Sequence, residues 1–233
     1  GSHHAGFWGN LSAQEAQLAE LQTKEGVANA LVSAGSMQKG VAEYALALNL
    51  SGPPGIGLRV TELNVLDHVG TLAYTWTHAL QVAAAHLLLA AVPAVRSIIH
   101  HALDGCCGFA ATFAQDSAAS PVAMAYFGGR LVPPLSAAIA EAGMPPGGLT
   151  APGVVIRALA DSYKAVDDAT VATLTVQPIP PNITSTQVPG AAIPGVVGVV
   201  LASANRTAVV AVVNLLPSTF SLVLDGALPV DAP

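Results

Sequence analysis

Charge, aromatic side chains and cysteine are all scarce in this chain of 233 residues. Charged residues make up 9% of the chain, against roughly 25% in an average soluble domain. Eight basic against fourteen acidic residues give a formal charge of -6, which excludes the clustered Lys and Arg surface by which proteins bind nucleic acid. Because 52% of the residues are hydrophobic, the composition also excludes a disordered chain.

The two cysteines, Cys106 and Cys107, are adjacent, and neighbouring residues seldom meet the geometry of a disulfide. Each is therefore either a buried thiol or bonded to a group outside this chain. No His-x-x-x-His pair falls on a predicted helix, and His100 and His101 point to opposite faces of a predicted strand. The sequence predicts no metal site and implies no cofactor. His78 and His86 lie eight residues apart on one predicted helix and are interpreted as buried, hydrogen-bonded core histidines.

Two features bear on where the protein works. The most apolar predicted helix, residues 74–92, contains Thr, His and Gln side chains, which predicts a buried helix rather than a membrane span. No signal peptide is recognisable, yet four Asn-x-Ser/Thr sequons favour a secreted, extracellular or cell-wall protein. The four acceptor residues are Asn10, Asn49, Asn182 and Asn205.

The first part of the chain has the element order of parallel strands covered by helices. A helical region, divided at Gly35, precedes a strand, a helix, a second strand and a final helix. Both strands are almost wholly apolar, which is typical of parallel strands buried on both faces. The predicted bounds are 12–50 for the helical region, 56–65 and 95–103 for the strands, and 73–92 and 121–142 for the helices.

After Gly143 the pattern changes to short β-rich runs separated by Pro, Gly and Asn, which predicts an antiparallel β-sandwich. The segment 178–194 has five prolines and is predicted to be a long surface connection. We therefore expect an α/β domain at 1–148 and a β-sandwich domain at 149–233. The runs predicted to be strands are 154–165, 168–177, 196–203, 207–216 and 219–224.

Glu62 differs from the other five glutamates, which lie on predicted helices beside polar neighbours. It falls near the carboxyl end of a predicted buried strand, where a carboxylate is costly unless it is paired or hydrogen-bonded. Ligands of parallel α/β folds bind at the carboxyl ends of the strands. The position predicts a catalytic carboxylate, and the alternative is a buried structural ion pair.

The run Arg-Val-Thr-Glu-Leu-Asn at 59–64 resembles the strand-seven motif of retaining glycoside hydrolases with a (β/α)8 barrel, such as α-L-arabinofuranosidases and β-xylosidases. The opening Ser2-His3-His4, followed by Phe7 and Trp8, is similar to the loop leaving strand six. Thr75-Trp76-Thr77-His78 opening a helix, a strand ending in His100-His101 and a closing β-sandwich also follow the family's order. The resemblance implies the C-terminal part of a barrel, from the loop after strand six to helix eight, and then a sandwich.

In that family the glutamate ending strand seven is the nucleophile, so the resemblance implies that role for Glu62, with Asn64 orienting it. It also implies a second carboxylic acid, which in the family follows an asparagine at the end of strand four. This chain has no Asn-Glu pair, so the acid/base and the other strands would belong to an N-terminal fragment or subunit.

The implied substrate is a cell-wall or extracellular glycan. His4, Trp8, Trp76 and His101 fall near predicted strand ends, where imidazole and aromatic groups would bind a sugar. For each of these four, ordinary packing or a solvated loop stays open as the alternative. The rival function is a catalytically inactive structural or carbohydrate-binding glycoprotein on the same scaffold, which the four sequons, the low charge and the absent acid/base also fit.

Overall fold

The computed structural model of the chain describes residues 11–53, 55–64, 75–101, 148–166, 170–176, 180–203 and 207–219. Several predictions concern residues outside these ranges and are not addressed by it. They are the predicted helix 121–142, the predicted strand 219–224 apart from its first residue, Cys106, Cys107, the sequons Asn10 and Asn205, and the proposed sugar-binding residues His4 and Trp8.

Within the described ranges the chain is a mixture of helices and strands, as predicted, and these ranges form no closed barrel. The first part contains helices α1 and α2, strand β1, helix α3 and strand β2. The second part contains helix α4 and strands β3 to β7. The bounds are α1 Leu11–Leu21, α2 Lys24–Ser51, β1 Leu58–Leu63, α3 Trp76–Ala90, β2 Val95–His100, α4 Ala151–Lys164, β3 Thr170–Thr173, β4 Asn182–Thr184, β5 Ala192–Pro194, β6 Val196–Ala202 and β7 Ala208–Asn214.

Helix α2 is continuous over 28 residues, so the predicted division at Gly35 is wrong. The break lies instead at Thr23, whose side chain caps α2 by accepting a hydrogen bond from the Gly26 amide at 3.0 Å. A Cβ at Gly35 would lie 2.7 Å from the carbonyl oxygen of Ala192. Gly35 therefore permits a close approach of another backbone and does not end the helix.

Strands β1 and β2 pair in parallel with α3 between them in the chain, as predicted. The side chain of Thr75 caps α3. Ten residues of α3 are buried, so the prediction of a buried helix is also confirmed. Among the described residues no helix is both long and apolar enough to cross a membrane, which agrees with the predicted absence of a membrane span.

Each of these strands packs one face against the core and exposes residues of the other, which corrects the prediction that both faces are buried. Val60 and Ile98 are opposite each other and pack against the hydrophobic core. Arg59 and Ile99 are exposed, Ile99 to 53%. The alternation of side chains along a strand explains the difference, because it sends Arg59 and Thr61 away from the face on which Val60 packs.

The apolar run from Val154 is a helix and not a strand, so that prediction is wrong. Thr150 caps α4 by accepting a hydrogen bond from the Gly153 amide at 3.1 Å, and a proline stands in the first helical turn. Val155 and Leu159, one helical turn apart, both pack against the core. This spacing stabilises the helix in spite of the β-branched side chains.

In the described residues after α4 the strands pair antiparallel, as predicted. Strands β3, β6 and β7 form one sheet in that order, and β6 is buried along its whole length. Strands β4 and β5 form a separate antiparallel pair. They lie within residues 178–194, so the prediction of a plain surface connection there is wrong: Ile193 of β5 is 0% exposed. A sandwich of two packed sheets stays a prediction.

The hydrophobic core draws on residues from both sides of residue 148. Leu31 of α2, Leu63 of β1 and Ala84 of α3 belong to the same buried cluster as Ile193 of β5 and Leu201 of β6. Helix α3 also packs against α4 and β6. The boundary between two domains at residues 148 and 149 stays a prediction, but the core is continuous across it.

Candidate functional site

Three polar side chains and one backbone carbonyl group meet at the carboxyl ends of β1 and β2. The Oδ1 atom of Asn64, the residue after β1, lies 2.8 Å from Nε2 of His78 on α3. The Nδ2 group of Asn64 donates to the carbonyl oxygen of His101 and lies 3.4 Å from Nε2 of His100. One amide therefore joins the ends of both strands to the helix between them. We call Asn64, His78, His100 and His101 the strand-end cluster.

The hydrogen bonds of the strand-end cluster define a tautomer. Because an amide oxygen only accepts, the Nε2 atom of His78 must carry the hydrogen of this bond. His78 is 0% exposed, and its backbone amide donates to the Thr75 hydroxyl oxygen at 3.3 Å. The cap of α3 and the buried ring together fix the amide of Asn64.

Glu62 lies at an irregularity of the β1–β2 pairing. Between the pairs Val60–Ile98 and Leu63–His100, β1 has two residues, Thr61 and Glu62, where β2 has one. This count is that of a β-bulge, a distortion that changes the direction of side chains and is common beside active sites. Glu62 is exposed, so the expected burial of its carboxylate and the alternative of a buried ion pair are both wrong.

Trp76 lies two residues before His78, and His101 belongs to the strand-end cluster; both are exposed. Trp76 is the first residue of α3 and is 63% exposed, and His78, two residues further on, contacts Asn64. His101 is exposed and receives the hydrogen bond from Asn64 at its carbonyl oxygen. An indole ring and an imidazole ring near the strand-end cluster are thus accessible to a ligand.

Glu62 is the one carboxylate of the described residues that lies on the β1–β2 sheet. The other acidic residues of those ranges are on helices: Glu15 and Glu20 on α1, Glu25 and Glu43 on α2, and Asp161 on α4. The same ranges contain no group of three or more metal-ligating side chains. Among the described residues, Glu62 is therefore accompanied on this sheet by no second carboxylate that could act as an acid and base.

His78 and His100 were not predicted as site residues. His78 was expected to be a buried, hydrogen-bonded core histidine, which it is, but its partner is the strand-end amide. The sequence did contain one signal. His78 lies in the first turn of the helix that follows β1, and the start of that helix lies near the end of β1 where Asn64 stands. A residue pair 14 positions apart cannot be deduced from spacing alone.

His86 was also expected to be a buried, hydrogen-bonded core histidine; its burial is confirmed, and a hydrogen bond is missing at one ring nitrogen. It is buried, and its Nε2 atom has no hydrogen-bond partner among the described residues. Its ring centroid lies 6.0 Å from that of His100. Burial, and secondly the charge of His100, lower the pKa of His86 from 6.5 to about 4, so the ring is neutral at physiological pH.

A second polar cluster joins α2 to the segment between β4 and β5. The Glu25 carboxylate accepts from the Ser185 hydroxyl at 2.9 Å, the Thr186 amide at 2.7 Å and the Thr186 hydroxyl at 2.8 Å. These bonds stabilise the ionised carboxylate and hold the pKa of Glu25 below its ordinary value of 4.5. The bond from the Thr186 side chain contributes most, and the bond from the Ser185 side chain comes next. The cluster carries no exposed aromatic group and is a structural clamp.

Two of the predicted glycosylation sites lie within the described residues. Asn49 is in the last turn of α2, and Asn182 is the first residue of β4. Both side chains are exposed, so both are accessible to a modifying enzyme.

Comparison with known proteins adds no further constraint on the site: no protein-family model, curated protein or solved structure matches this chain.

Proposed function

We propose that this chain is the nucleophile-bearing part of a secreted retaining glycoside hydrolase that acts on cell-wall or extracellular glycans. Glu62 is the nucleophile, and Asn64, Trp76 and His101 bind or orient the sugar. The observation that carries the proposal is the position of Glu62, exposed at a bulge two residues before the strand-end cluster. The N-terminal part of the barrel, on another stretch of polypeptide, supplies the acid/base.

The exposure of Glu62 suits a nucleophile that must reach a large substrate. A carboxylate buried in an ion pair would have to break that pair before attack, whereas an exposed one needs only the arrival of the sugar. Asn64 supports the same role, because its amide is held by His78 and by the carbonyl oxygen of His101. The strand that carries Glu62 is thereby fixed against its neighbour at the end where a sugar would bind.

Trp76 supports a carbohydrate substrate in particular. Its ring is 63% exposed at the start of a helix whose other residues are mostly buried. A ligand that covers this apolar surface would gain free energy by removing it from water. The apolar face of a pyranose or furanose ring would stack on the indole, while His101 provides a hydrogen bond to a hydroxyl group.

The proposed reaction is a double displacement. A carboxylate oxygen of Glu62 bonds to the anomeric carbon as the bond to the leaving oxygen breaks, and the acid/base gives that oxygen a proton. Water then loses its proton to the same acid/base, bonds to the anomeric carbon and releases Glu62. The acid/base must lie about 5–5.5 Å from Glu62 for retention, so the N-terminal part must reach over the strand-end cluster.

The test is covalent trapping in the complete native protein. A panel of 2-deoxy-2-fluoroglycosyl fluorides, which form slow glycosyl-enzyme esters, is incubated with the protein, and peptides are mapped by mass spectrometry. We expect one ester, on Glu62. On an aryl glycoside that the protein hydrolyses, Glu62→Gln should lower the rate by at least about a thousandfold, as expected for loss of a nucleophile.

Glu43→Gln is the matched control, because Glu43 is an exposed glutamate on α2. It should leave hydrolysis and trapping unchanged. An ester on another residue, or full activity in Glu62→Gln, would remove Glu62 from the mechanism. Glycan binding that depends on Trp76, with no hydrolysis of any substrate, would favour an inactive carbohydrate-binding glycoprotein.

A further inference from the structure

A cavity of about 290 Å³ lies where α3, β3, β6 and the β4–β5 pair meet. Its apolar surface includes the half-buried side chains of Leu88, Leu174 and Val176. The exposed residues Thr173 and Thr175 line it as well. Asn182, the first residue of β4, also lines this cavity, so we call it the Asn182 groove.

Asn182 belongs to a sequon that occupies the whole of β4, from Asn182 through Ile183 to Thr184. Because side chains alternate along a strand, Asn182 and Thr184 share one face and Ile183 lies on the other, where it packs against the core. Asn182 and Thr184 are exposed, and within the described part of the chain neither side chain makes a hydrogen bond. Modification of the Asn182 amide would therefore break no contact of the folded protein.

The lining of the Asn182 groove suits a neutral amphipathic group. None of the described residues that line it is charged, so the groove offers no partner to an ionic ligand. Leu88 and Leu174 provide apolar surface, and Thr173 and Thr175 have hydroxyl groups that both donate and accept hydrogen bonds. A sugar ring with an acetamido group combines an apolar face and a methyl group with hydroxyls that match this lining.

We propose that an N-acetylglucosamine residue attached to Asn182 lies in the Asn182 groove and covers its apolar surface. In the attachment step Nδ2 of Asn182 bonds to C1 of the sugar of a lipid-diphosphate oligosaccharide, the amide loses one proton, and the lipid diphosphate leaves with the electron pair. The inference rests on the proposed function for secretion, which brings the chain to the transferase. It requires no hydrolysis by the protein itself.

The covalent bond identifies this sugar as the occupant of the groove. A tethered group is present at a high effective concentration, so weak contacts with the groove suffice to hold it. Covering the apolar surface then stabilises the folded state, because that surface is removed from water only when the protein is folded. Asn49, exposed on α2, is not among the residues that line the groove, so a glycan there would gain no such contact.

The first test measures how accessible the attached sugar is. The full chain is secreted behind a signal peptide from cells that make oligomannose glycans, and mass spectrometry of peptides gives the occupancy of each sequon. In the native protein, peptide-N-glycosidase F should release the glycan of Asn182 about tenfold more slowly than that of Asn49 or of the unfolded chain, because the sugar must first leave the groove. Thr175→Trp fills the edge of the groove and should remove this protection.

The second test measures the stability that the sugar contributes. Endoglycosidase H trims each glycan to one N-acetylglucosamine, and the trimmed protein should keep the Tm of the glycosylated one. Asn182→Gln and Thr184→Ala both prevent attachment, and each should lower the Tm of the secreted protein by about 2–4 °C. Asn49→Gln is the matched control and should not change it. In chains made in bacteria without glycans, the Asn182 and Thr184 variants should have the parent's Tm.

The inference is overturned by an unmodified Asn182, by release at Asn182 as fast in the native protein as in the unfolded chain, or by an unchanged Tm in the secreted variants. It is also overturned if trimming lowers the Tm, which would assign the effect to the outer sugars, or if the bacterial variants lose as much stability as the secreted ones. None of these measurements involves Glu62. Covalent trapping tests hydrolysis separately, so either proposal can fail while the other stands.

Discussion

Asn64 Oδ1 and His78 Nε2 are 2.8 Å apart, so a fully buried histidine of α3 holds the residue that follows β1. The carbonyl oxygen of His101 holds the same amide from the side of β2. The pair links the interior of the protein to the carboxyl end of β1, two residues along the chain from the exposed Glu62. The rigidity of the proposed site therefore depends on a residue that no substrate touches.

Replacing His78 should destabilise the protein through this bond. His78→Phe fills a similar volume but leaves Asn64 Oδ1 without its donor, and we expect a loss of about 1–3 kcal/mol in the free energy of unfolding. His78→Gln retains an N–H donor and should lose less. Urea unfolding at pH 7 measures both. Equal stability of the two variants would show that the hydrogen bond contributes nothing beyond packing.

His86 should make the protein less stable in mild acid. Its pKa is about 4 in the folded chain and about 6.5 when unfolded, so the unfolded state binds more protons between these values. Stability is therefore lost as the pH falls below 6.5, by about 2 kcal/mol at pH 5 for this group alone. Urea unfolding at pH 7.5 and pH 5 measures the effect. The free energy of unfolding should fall between these two pH values by about 2 kcal/mol less in His86→Leu than in the parent. His101→Gln, at an exposed histidine, should retain the parent's slope.

Gly35 and Gly40 on α2 should respond to alanine in opposite directions. A Cβ at Gly35 would lie 2.7 Å from the Ala192 carbonyl oxygen, and moving β5 away would loosen the core around Ile193. We expect Gly35→Ala to cost about 1–3 kcal/mol, the range for overpacking. At Gly40 nothing lies within 4 Å of the Cβ position. Gly40→Ala should stabilise by up to about 1 kcal/mol, because alanine favours the helix. Thermal unfolding compares them directly.

The Glu25 clamp should release the segment between β4 and β5 in acid. Its pKa is lowered in the folded state, so its stabilisation is present above 4.5 and is lost as the pH falls through the lower folded value. Intrinsic amide exchange slows in acid, so the quantity to follow is the protection factor of the Thr186 amide, which should fall on acidification. In Glu25→Gln that fall should be absent, whereas Glu43→Gln should keep it. Identical profiles for Glu25→Gln and the parent would contradict the clamp.

The parallel βαβ unit could be predicted because its signals are local. The strands at 56–65 and 95–103 are short and apolar, and the helix between them is long and has a Thr cap. The exposure of Glu62 could not be predicted, because it depends on a bulge that appears only when β1 is paired with β2. The strand-end cluster likewise depends on pairing, since His100 and His101 lie 36 and 37 residues from Asn64.

The errors in the second half of the chain have a common physical origin. Val154, Val155 and Ile156 have high β propensity, but the Thr150 cap and packing of Val155 and Leu159 on the core outweigh it. The Pro-rich segment 178–194 contains a strand pair because Ile193 is buried against the helix at Gly35. In both places a contact with a distant element decided the structure, and local composition does not record such contacts.

The length of α2 also has a consequence for dissecting the chain. The first turn of this helix is hydrogen-bonded to the segment after β4 through Glu25, and its middle contacts β5 at Gly35. A polypeptide beginning at residue 149 would lack α2, and Ser185 and Ile193 would become exposed to water. We therefore expect the two halves to unfold in a single cooperative transition. If a protease site is engineered between residues 148 and 149, the two fragments should remain associated after cleavage until they are denatured.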